Sequence, residues 1–173
     1  MAGALIKIDE TIISSALASV TLTGIDSTYD VYKVVATNIK PASDDKDLYM
    51  KVTVSGSAQT TSNYDSFTKN FRIDASFSGE TLPNVNHWQP FSAIGGAAGE
   101  NANLVAYLFN FNNSSEYSYI TVEAVQTVYD LDLFGMQGGK LYTVAEAHDG
   151  VNFTLESGTN FSAGQFTLYG LKK

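Results

Sequence analysis

Residues with side chains suited to catalysis are few in this sequence, and they are not spaced for it. The chain of 173 residues has two histidines, His87 and His148, and no cysteine. Nucleophilic hydrolysis requires a nucleophile on a sharp turn with a histidine base beside it, and no G-x-S-x-G motif is present. We therefore predict a protein without catalytic residues and interpret both histidines as ordinary surface or turn residues.

Candidate metal ligands are equally sparse. A zinc site needs three or four His, Cys or carboxylate ligands at matched spacing, which two isolated histidines do not supply. Asp44, Asp45 and Asp47 crowd one segment, and Asp130 with Asp132 form a D-x-D pair. Their oxygens suit calcium, but both segments lack the longer alternation with Gly and the closing Glu of the best-known calcium loop. We expect neither a metal nor a cofactor, and leave open whether calcium binds residues 44–47.

The best candidate for contact with a ligand is the segment around the single tryptophan. In residues 87–91, HWQPF, the aromatic faces of Trp88 and Phe91 suit stacking on a sugar, and His87 suits hydrogen bonding to hydroxyl groups. The alternative is that Trp88 and Phe91 anchor a long loop, residues 79–100, onto the core. Both interpretations stay open from the sequence.

Charge limits the classes of partner. The formal net charge is −8, and the ten basic residues are scattered along the chain. A surface that follows nucleic acid phosphates needs clustered Lys and Arg, so we expect no nucleic acid partner. The same charge disfavours an anionic membrane surface, and no segment is apolar over the length needed to span a bilayer.

The dominant period of the sequence is two, which is the period of a half-buried strand. In residues 48–55, LYMKVTVS, apolar side chains occupy every second position. Similar runs predict further strands at residues 5–13, 18–25, 31–38, 70–77, 102–112, 117–128, 140–147, 151–155 and 165–171.

Turn signals separate these runs. Residues 137–139, QGG, and the pair Asp149-Gly150 have turn compositions, and the latter favours a tight hairpin. Residues 57–68 and 79–100 break the rhythm and are predicted to be loops. Short, evenly spaced strands without helical patterns predict an all-β fold, a β-sandwich of jelly-roll type with antiparallel strands. We expect a single domain, residues 1–173, in which residues 1–17 form an N-terminal arm or an edge strand.

One predicted strand has more apolar residues than a sandwich core requires. In residues 102–112 the positions that alternate from Leu104 are apolar, and so are those between them, including Tyr107, Phe109 and Phe111. A strand that is apolar on both faces is covered on both sides or contacts a partner. We therefore hypothesise that Tyr107, Phe109 and Phe111 contribute to a subunit interface. The alternative is that the long loops cover them.

The order of motifs resembles that of small structural proteins of tailed bacteriophages, especially those of marine and cyanobacterial hosts. The similarity extends from about residue 5 to the C-terminus. It rests on residues 24–26 (GID), 31–35 (VYKVV), 38–41 (NIKP), 47–52 (DLYMKV), 104–110 (LVAYLFN), 157–161 (SGTNF) and 164–171 (GQFTLYGL). The resemblance implies a β-sandwich of jelly-roll type on the virion, as a head decoration (cement) protein, a knob or fibre, or a tail component. It transfers no catalytic residues, and decoration proteins of this kind are often trimers.

Together these features predict a virion structural protein, foremost a head decoration protein that binds the capsid surface. Its expected partner is the major capsid protein, its expected state is a homo-oligomer with a trimer favoured, and its location is the virion after synthesis in the host cytoplasm. The alternative is a carbohydrate- or host-receptor-binding β-sandwich module of a tail or fibre. An enzyme on a jelly roll is the third possibility, disfavoured by the poor supply of His and Arg.

Overall fold

The computed structural model describes residues 4–130 and 132–172, and it confirms the predicted all-β class. Besides one short 3₁₀ turn, Glu156–Gly158, the regular elements in this part of the chain are strands. No helix long and apolar enough to cross a membrane is found among these residues. The strands are β1 (Ala4–Ile13), β2 (Ser19–Thr23), β3 (Val31–Pro41), β4 (Lys46–Val54), β5 (Ser57–Ala58), β6 (Tyr64–Arg72), β7 (Phe77–Val85), β8 (Trp88–Ile94), β9 (Ala102–Phe109), β10 (Ser118–Thr127), β11 (Leu133–Tyr142), β12 (Gly150–Leu155) and β13 (Phe161–Lys172).

The strands form two antiparallel sheets. The large sheet has eight strands in the order β1-β13-β3-β9-β10-β11-β6-β7. The small sheet has the order β2-β12-β4-β5, and β8 also pairs with β4. Strands from the start of the chain pair with strands from its end, so that β1 lies at the edge of the large sheet beside β13, and β2 lies beside β12. The hairpins β6–β7 and β10–β11 meet at the β6–β11 pair and extend the large sheet.

The core lies between the two sheets. Because each strand turns one side towards this core, apolar residues recur at every second position of the sequence. Alternate side chains of β3 and β9, such as Val34 and Ala106, are buried, while those between them face away from the small sheet. The small sheet contributes residues such as Met50 and Phe153 to the same core. The Phe153 ring lies 5.0 Å from that of Phe166 on β13, measured between ring centroids. Burial of these side chains is the main favourable term for joining the sheets.

The predicted strand at residues 70–77 is wrong, because a hairpin turn interrupts it. β6 ends at Arg72 and β7 begins at Phe77, so that Phe71 and Phe77 pair across the hairpin with ring centroids 5.7 Å apart. In the turn, the Ser76 amide donates to Asp74 Oδ1 at 2.8 Å, which is a typical Asx turn.

The predicted loops at residues 57–68 and 79–100 are also wrong in large part. They contain β5, most of β7, β8 and the first half of β6. Their alternation was hidden because β7 has no fully buried residue and β6 buries only two, Tyr64 and Thr68. Backbone pairing rather than burial therefore holds this part of the large sheet together.

The Asp149-Gly150 pair does not form the predicted hairpin. It lies where the chain crosses from β11 in the large sheet to β12 in the small one. The Asp149 carboxylate accepts hydrogen bonds from Thr53 Oγ1 at 2.6 Å and from the Gly56 amide at 2.7 Å. A Cβ on Gly150 would lie 2.1 Å from the Leu22 carbonyl oxygen, so glycine permits this close approach. The predicted turn at residues 137–139 is likewise wrong, since these residues lie inside β11.

Candidate interaction face

The tryptophan segment faces the core, not solvent. Trp88 and Phe91 lie on β8 with no exposed surface, and the Trp88 indole Nε1 donates to the Leu141 carbonyl oxygen at 3.0 Å. The indole ring lies edge-on to Tyr64, with centroids 5.0 Å apart. The structure therefore corrects the prediction of a sugar-stacking platform, because neither ring is accessible in this conformation. The anchor interpretation describes both residues.

Of the three candidate ligand residues of that segment, His87 is the one that is partly exposed. Its ring stacks on Tyr49 with centroids 3.7 Å apart, and its Nδ1 lies 2.7 Å from Asn86 Oδ1. Partial burial, together with the positive charges of Lys51 and Lys140, lowers the pKa of His87 to about 4. The imidazole is therefore neutral at physiological pH.

The acidic segment at residues 44–47 holds a neighbouring strand in place. Asp47 accepts hydrogen bonds from Gln89 Nε2 and from the Ala93 amide, each at 3.0 Å, and burial raises the pKa of its carboxyl group. Asp44 Oδ1 accepts from the Gly96 amide. Two carboxylates thus tie β8 and its following loop to the start of β4 and to the segment before it. Within the described ranges, no group of three or more His, Cys, Asp or Glu side chains could hold a metal ion.

One arrangement has the residue types of a hydrolase triad, but its serine and histidine are enclosed in the protein. Ser118 Oγ lies 2.9 Å from His148 Nδ1, and His148 Nε2 lies 3.5 Å from Glu146 Oε1. Ser118 and His148 have no exposed surface, and burial lowers the pKa of His148. The sequence interpretation of His148 as a surface or turn residue is therefore wrong: its ring packs edge-on against Phe111 and Tyr142. Ser118 and His148 thus form a buried polar pair, while the Glu146 side chain keeps 35% of its surface exposed.

The eight-stranded sheet has one side that faces away from the small sheet, here called the outer face. Strand register places Lys33, Tyr107, Thr121, Gly139 and Phe67 opposite one another across β3, β9, β10, β11 and β6. The next row along the strands contains Val31, Phe109, Tyr119, Leu141 and Asp65.

Two of the three interface residues predicted from the sequence lie on this face. Tyr107 and Phe109 are half-buried on β9, and Lys33 Nζ lies 5.2 Å from the centroid of the Tyr107 ring. Phe111 does not join them, because β9 ends at Phe109 and Asn110 adopts a φ of 61°. This turn directs Phe111 into the core, where 2% of its surface is exposed.

Sequence reasoning missed other apolar residues of the outer face. Phe67 is 63% exposed and Tyr119 is 47% exposed. Tyr119 could have been predicted from the sequence, because it lies on the same side of its predicted strand as Val125. Phe67 was assigned to a loop, because Tyr64, Phe67 and Phe71 are three and four positions apart and show no period of two.

The outer face is apolar, shallow and electrically balanced. Three depressions, of about 590, 300 and 220 Å³, lie on it, and the largest is bounded by Phe67, Tyr119 and Pro83. Among the described residues, its charged side chains are of both signs and include Lys7, Lys33, Lys69, Glu10, Asp65 and Glu123. A broad apolar face of this kind usually marks a site of protein contact.

No protein-family model and no curated protein sequence matches the chain. Among solved structures, it is similar to the CBM2 module of the evolved Dit of Lactobacillus casei BL23 phage J-1. That similarity has 10% identity and a TM-score of 0.26, and covers 90% of this chain and 69% of the other. E230A-fructofuranosidase from Schwanniomyces occidentalis, complexed with fructosylnystose, has 7% identity and a TM-score of 0.21, over 98% of this chain and 34% of the other. Both TM-scores are too low to assign a fold or a function.

Proposed function

We propose that this protein is a structural component of a tailed bacteriophage virion and that its outer face attaches it to other proteins. The observation that carries the proposal is the uncovered apolar face of the large sheet, with Tyr107, Phe109, Tyr119 and Phe67 at its centre. Aromatic residues are enriched in protein interfaces, where they bury a large area at a small cost in side-chain entropy. The resemblance of the sequence to phage structural proteins supports the same role.

The strand order supports the finer proposal of a jelly roll. The strands β1-β13-β3-β9 form one four-stranded unit, and β2-β12-β4-β8 form the unit that faces it. In each unit the first and third strands in order come from the first half of the chain, and their neighbours come from the second half. This nesting is what results when a long antiparallel pair folds over into two Greek keys. The β6–β7 and β10–β11 hairpins are then insertions that widen one sheet.

We further propose that the site on the virion is the head surface, with the major capsid protein as partner and no enzymatic activity. A decoration protein gains its affinity by contacting several subunits at once, because each bound contact raises the effective concentration of the next. A broad, shallow face suits such a lattice better than a deep cleft does. The sealed position of Ser118 and His148 supports the absence of hydrolase activity.

Binding to particles tests this proposal. The variant Tyr107→Ser/Phe109→Ser and the milder variant Tyr119→Ser are mixed with virions that lack the protein, and the bound copies are counted after sedimentation. We expect each variant to lose about tenfold or more in affinity, since burial of an aromatic side chain contributes about 1.5–3 kcal/mol. Leu17→Ser removes an exposed apolar residue away from the outer face and serves as the control. Binding equal to wild type for a folded Tyr119→Ser protein would contradict the proposal.

The alternative of a carbohydrate- or host-receptor-binding module has one observation in its favour. The depression of about 590 Å³ places Phe67 and Tyr119 near the hydroxyl groups of Thr81 and Thr121 and the carboxylate of Asp65. Aromatic rings beside polar groups suit a sugar ring. A glycan screen with wild type and Phe67→Ala decides: binding that Phe67→Ala abolishes favours this alternative, and an empty screen favours the structural role.

A further inference from the structure

Three loops meet at one end of the sandwich. They are residues 24–30 between β2 and β3, 110–117 between β9 and β10, and 143–149 between β11 and β12. Strand register brings them together, because β3 begins beside the end of β9, β10 begins beside the end of β11, and β12 begins beside the end of β2. Two depressions, of about 440 and 560 Å³, lie among these loops, and Asn110 bounds both. We call the two depressions and the side chains that bound them the loop-end site.

The loop-end site combines aromatic rings with small polar side chains. Tyr29 bounds the first depression, and Tyr117, which is 44% exposed, bounds the second. Amide, hydroxyl and carboxylate groups make up most of the remaining lining, among them Asn112, Ser114 and Glu116. The binding loops of antibodies are rich in Tyr, Ser and Asn for a physical reason: rings supply contact area, and small polar groups supply adaptable hydrogen bonds.

Hydrogen bonds within the loops hold the walls of the loop-end site in place. The Tyr32 hydroxyl donates to the Asp26 carbonyl oxygen at 2.6 Å and accepts from the Asp26 amide at 2.9 Å. In the neighbouring loop, Asn110 Nδ2 donates to Glu116 Oε2 at 2.9 Å. A site whose walls are already ordered loses little conformational entropy when a ligand binds, so even a small ligand can bind measurably.

Charge and hydrogen-bonding capacity define the ligand class. Asp26, Asp30 and Glu116 bound the loop-end site, and none of its described lining residues is Lys or Arg. A hydrogen bond from the Thr28 amide to Asp26 holds the pKa of that carboxyl group below its ordinary value. The site therefore repels anions. A cation would leave the amide N–H donors unmatched, whereas a hydroxyl group both donates to a carboxylate and accepts from an amide.

We propose that the loop-end site binds an uncharged oligosaccharide. One sugar ring packs on the exposed ring of Tyr117, and hydroxyl groups of the chain bond to Asp30 and Asn112 in the other depression. Because Asn110 bounds both depressions, two or more linked sugar units fill the site better than one unit does. This inference goes beyond the proposed function, and it does not depend on attachment of the outer face to a virion.

Titration of the purified chain with sugars tests the inference. The ligands are monomers and short oligomers of glucose, galactose, mannose and N-acetylglucosamine, with oligomers of galacturonic acid as the anionic comparison. Calorimetry measures each dissociation constant. We expect a neutral oligomer to bind more tightly than its own monomer, because the oligomer fills both depressions. We expect no binding of the galacturonic acid oligomers, because the carboxylates of the loop-end site repel them.

Substitutions of exposed residues show where the sugar lies. Tyr117→Ala should raise the dissociation constant about tenfold or more, because the sugar loses the ring on which it packs. Tyr117→Phe keeps the ring and should change it by less than about threefold. Asp30→Asn should raise it about fivefold, since an amide oxygen accepts weaker hydrogen bonds than a carboxylate does. Tyr129→Ala removes a tyrosine of similar exposure, 52%, beyond the other end of β10, and as the matched control should bind like wild type.

Three outcomes would overturn the inference. They are no binding of any neutral sugar at about 10 mM, tighter binding of the anionic oligomers than of the neutral ones, and binding that Tyr117→Ala leaves unchanged. Binding that Phe67→Ala abolishes and Tyr117→Ala preserves would place the sugar in the depression of about 590 Å³ on the outer face instead. Particle binding by Tyr107→Ser/Phe109→Ser tests the proposed function separately, since neither residue bounds the loop-end site.

Discussion

The two halves of the large sheet are built differently. In the half formed by β1, β13, β3 and β9, side chains such as Val34, Leu168 and Phe166 pack against the small sheet and are fully buried. In the half formed by β10, β11, β6 and β7, the inner side also buries polar groups, among them Lys140 and Gln126. Most of the exposed large apolar residues, including Phe67 and Phe77, belong to this second half.

This difference separates folding from attachment. Both halves contribute to the core, since Ile120, Tyr142 and Tyr64 of the second half are buried with the residues of the first. The difference is greatest at the edge of the second half, where β7 has no buried residue, and at Lys140, whose Nζ has a single hydrogen bond, to the Gln89 carbonyl at 3.2 Å. The outward-facing aromatic residues of the β6–β7 and β10–β11 hairpins are the residues that the proposed contact with other virion proteins would cover.

Two phenylalanines on the large sheet give the largest contrast. Phe166→Ala in the first half should lower the free energy of unfolding by about 3–5 kcal/mol, because it leaves a cavity beside Phe153 and Phe161. Phe67→Ala in the second half should change it by less than about 0.5 kcal/mol, since this ring is largely exposed. Chemical denaturation measures both. Equal losses would show that the second half is part of the folding core.

Lys140 should have the next largest effect on the free energy of unfolding, and this effect should depend on pH in the alkaline range. Burial lowers its pKa to about 8 in the folded protein, so above this pH the unfolded chain binds more protons than the folded one. The free energy of unfolding should therefore rise by about 1 kcal/mol between pH 7 and pH 9. Lys140→Met should remove most of that rise and raise stability at pH 7. A variant with the same alkaline slope as wild type would show that the ammonium group is solvated.

His148 should make the free energy of unfolding depend on pH in the acidic range, with a smaller effect than that of Lys140. Burial lowers the pKa of His148, although the nearby Glu146 carboxylate opposes this shift. As pH falls below about 6.5, the unfolded chain takes up a proton that the folded chain excludes, so stability falls by up to about 1 kcal/mol by pH 5.5. His148→Gln should reduce this slope in denaturation curves, whatever its stability at pH 7. His87, with a pKa of about 4, adds a loss in the same direction and is removed in parallel by His87→Gln.

The sequence was informative where burial alternates and uninformative where it does not. The runs of β3, β4 and β9 predicted their strands because one side of each faces the core. β7 was not predicted, because an exposed strand has no period of apolar residues. The first half of its partner β6 was predicted to be a loop. The Phe71–Phe77 hairpin was read as one strand, since alternation does not reveal a turn that places both rings on the same face.

The candidate site was predictable only in part, for related reasons. Tyr107 and Phe109 stood out because both sides of β9 are apolar. Phe111 continues the same alternation in the sequence, but in the structure it points into the core because Asn110 adopts a positive φ. No residue pattern predicts this change of direction. Trp88 was ambiguous because exposure, not residue type, separates an anchor from a platform.

An electron-microscopy map of an intact virion tests the central claim most directly, because it shows both where the chain lies and which of its surfaces is covered. We expect density for this chain on the particle, with Tyr107, Phe109 and Tyr119 against a neighbouring structural protein. A particle in which the chain is absent, or in which those three side chains face solvent while the small sheet makes the contacts, would contradict it.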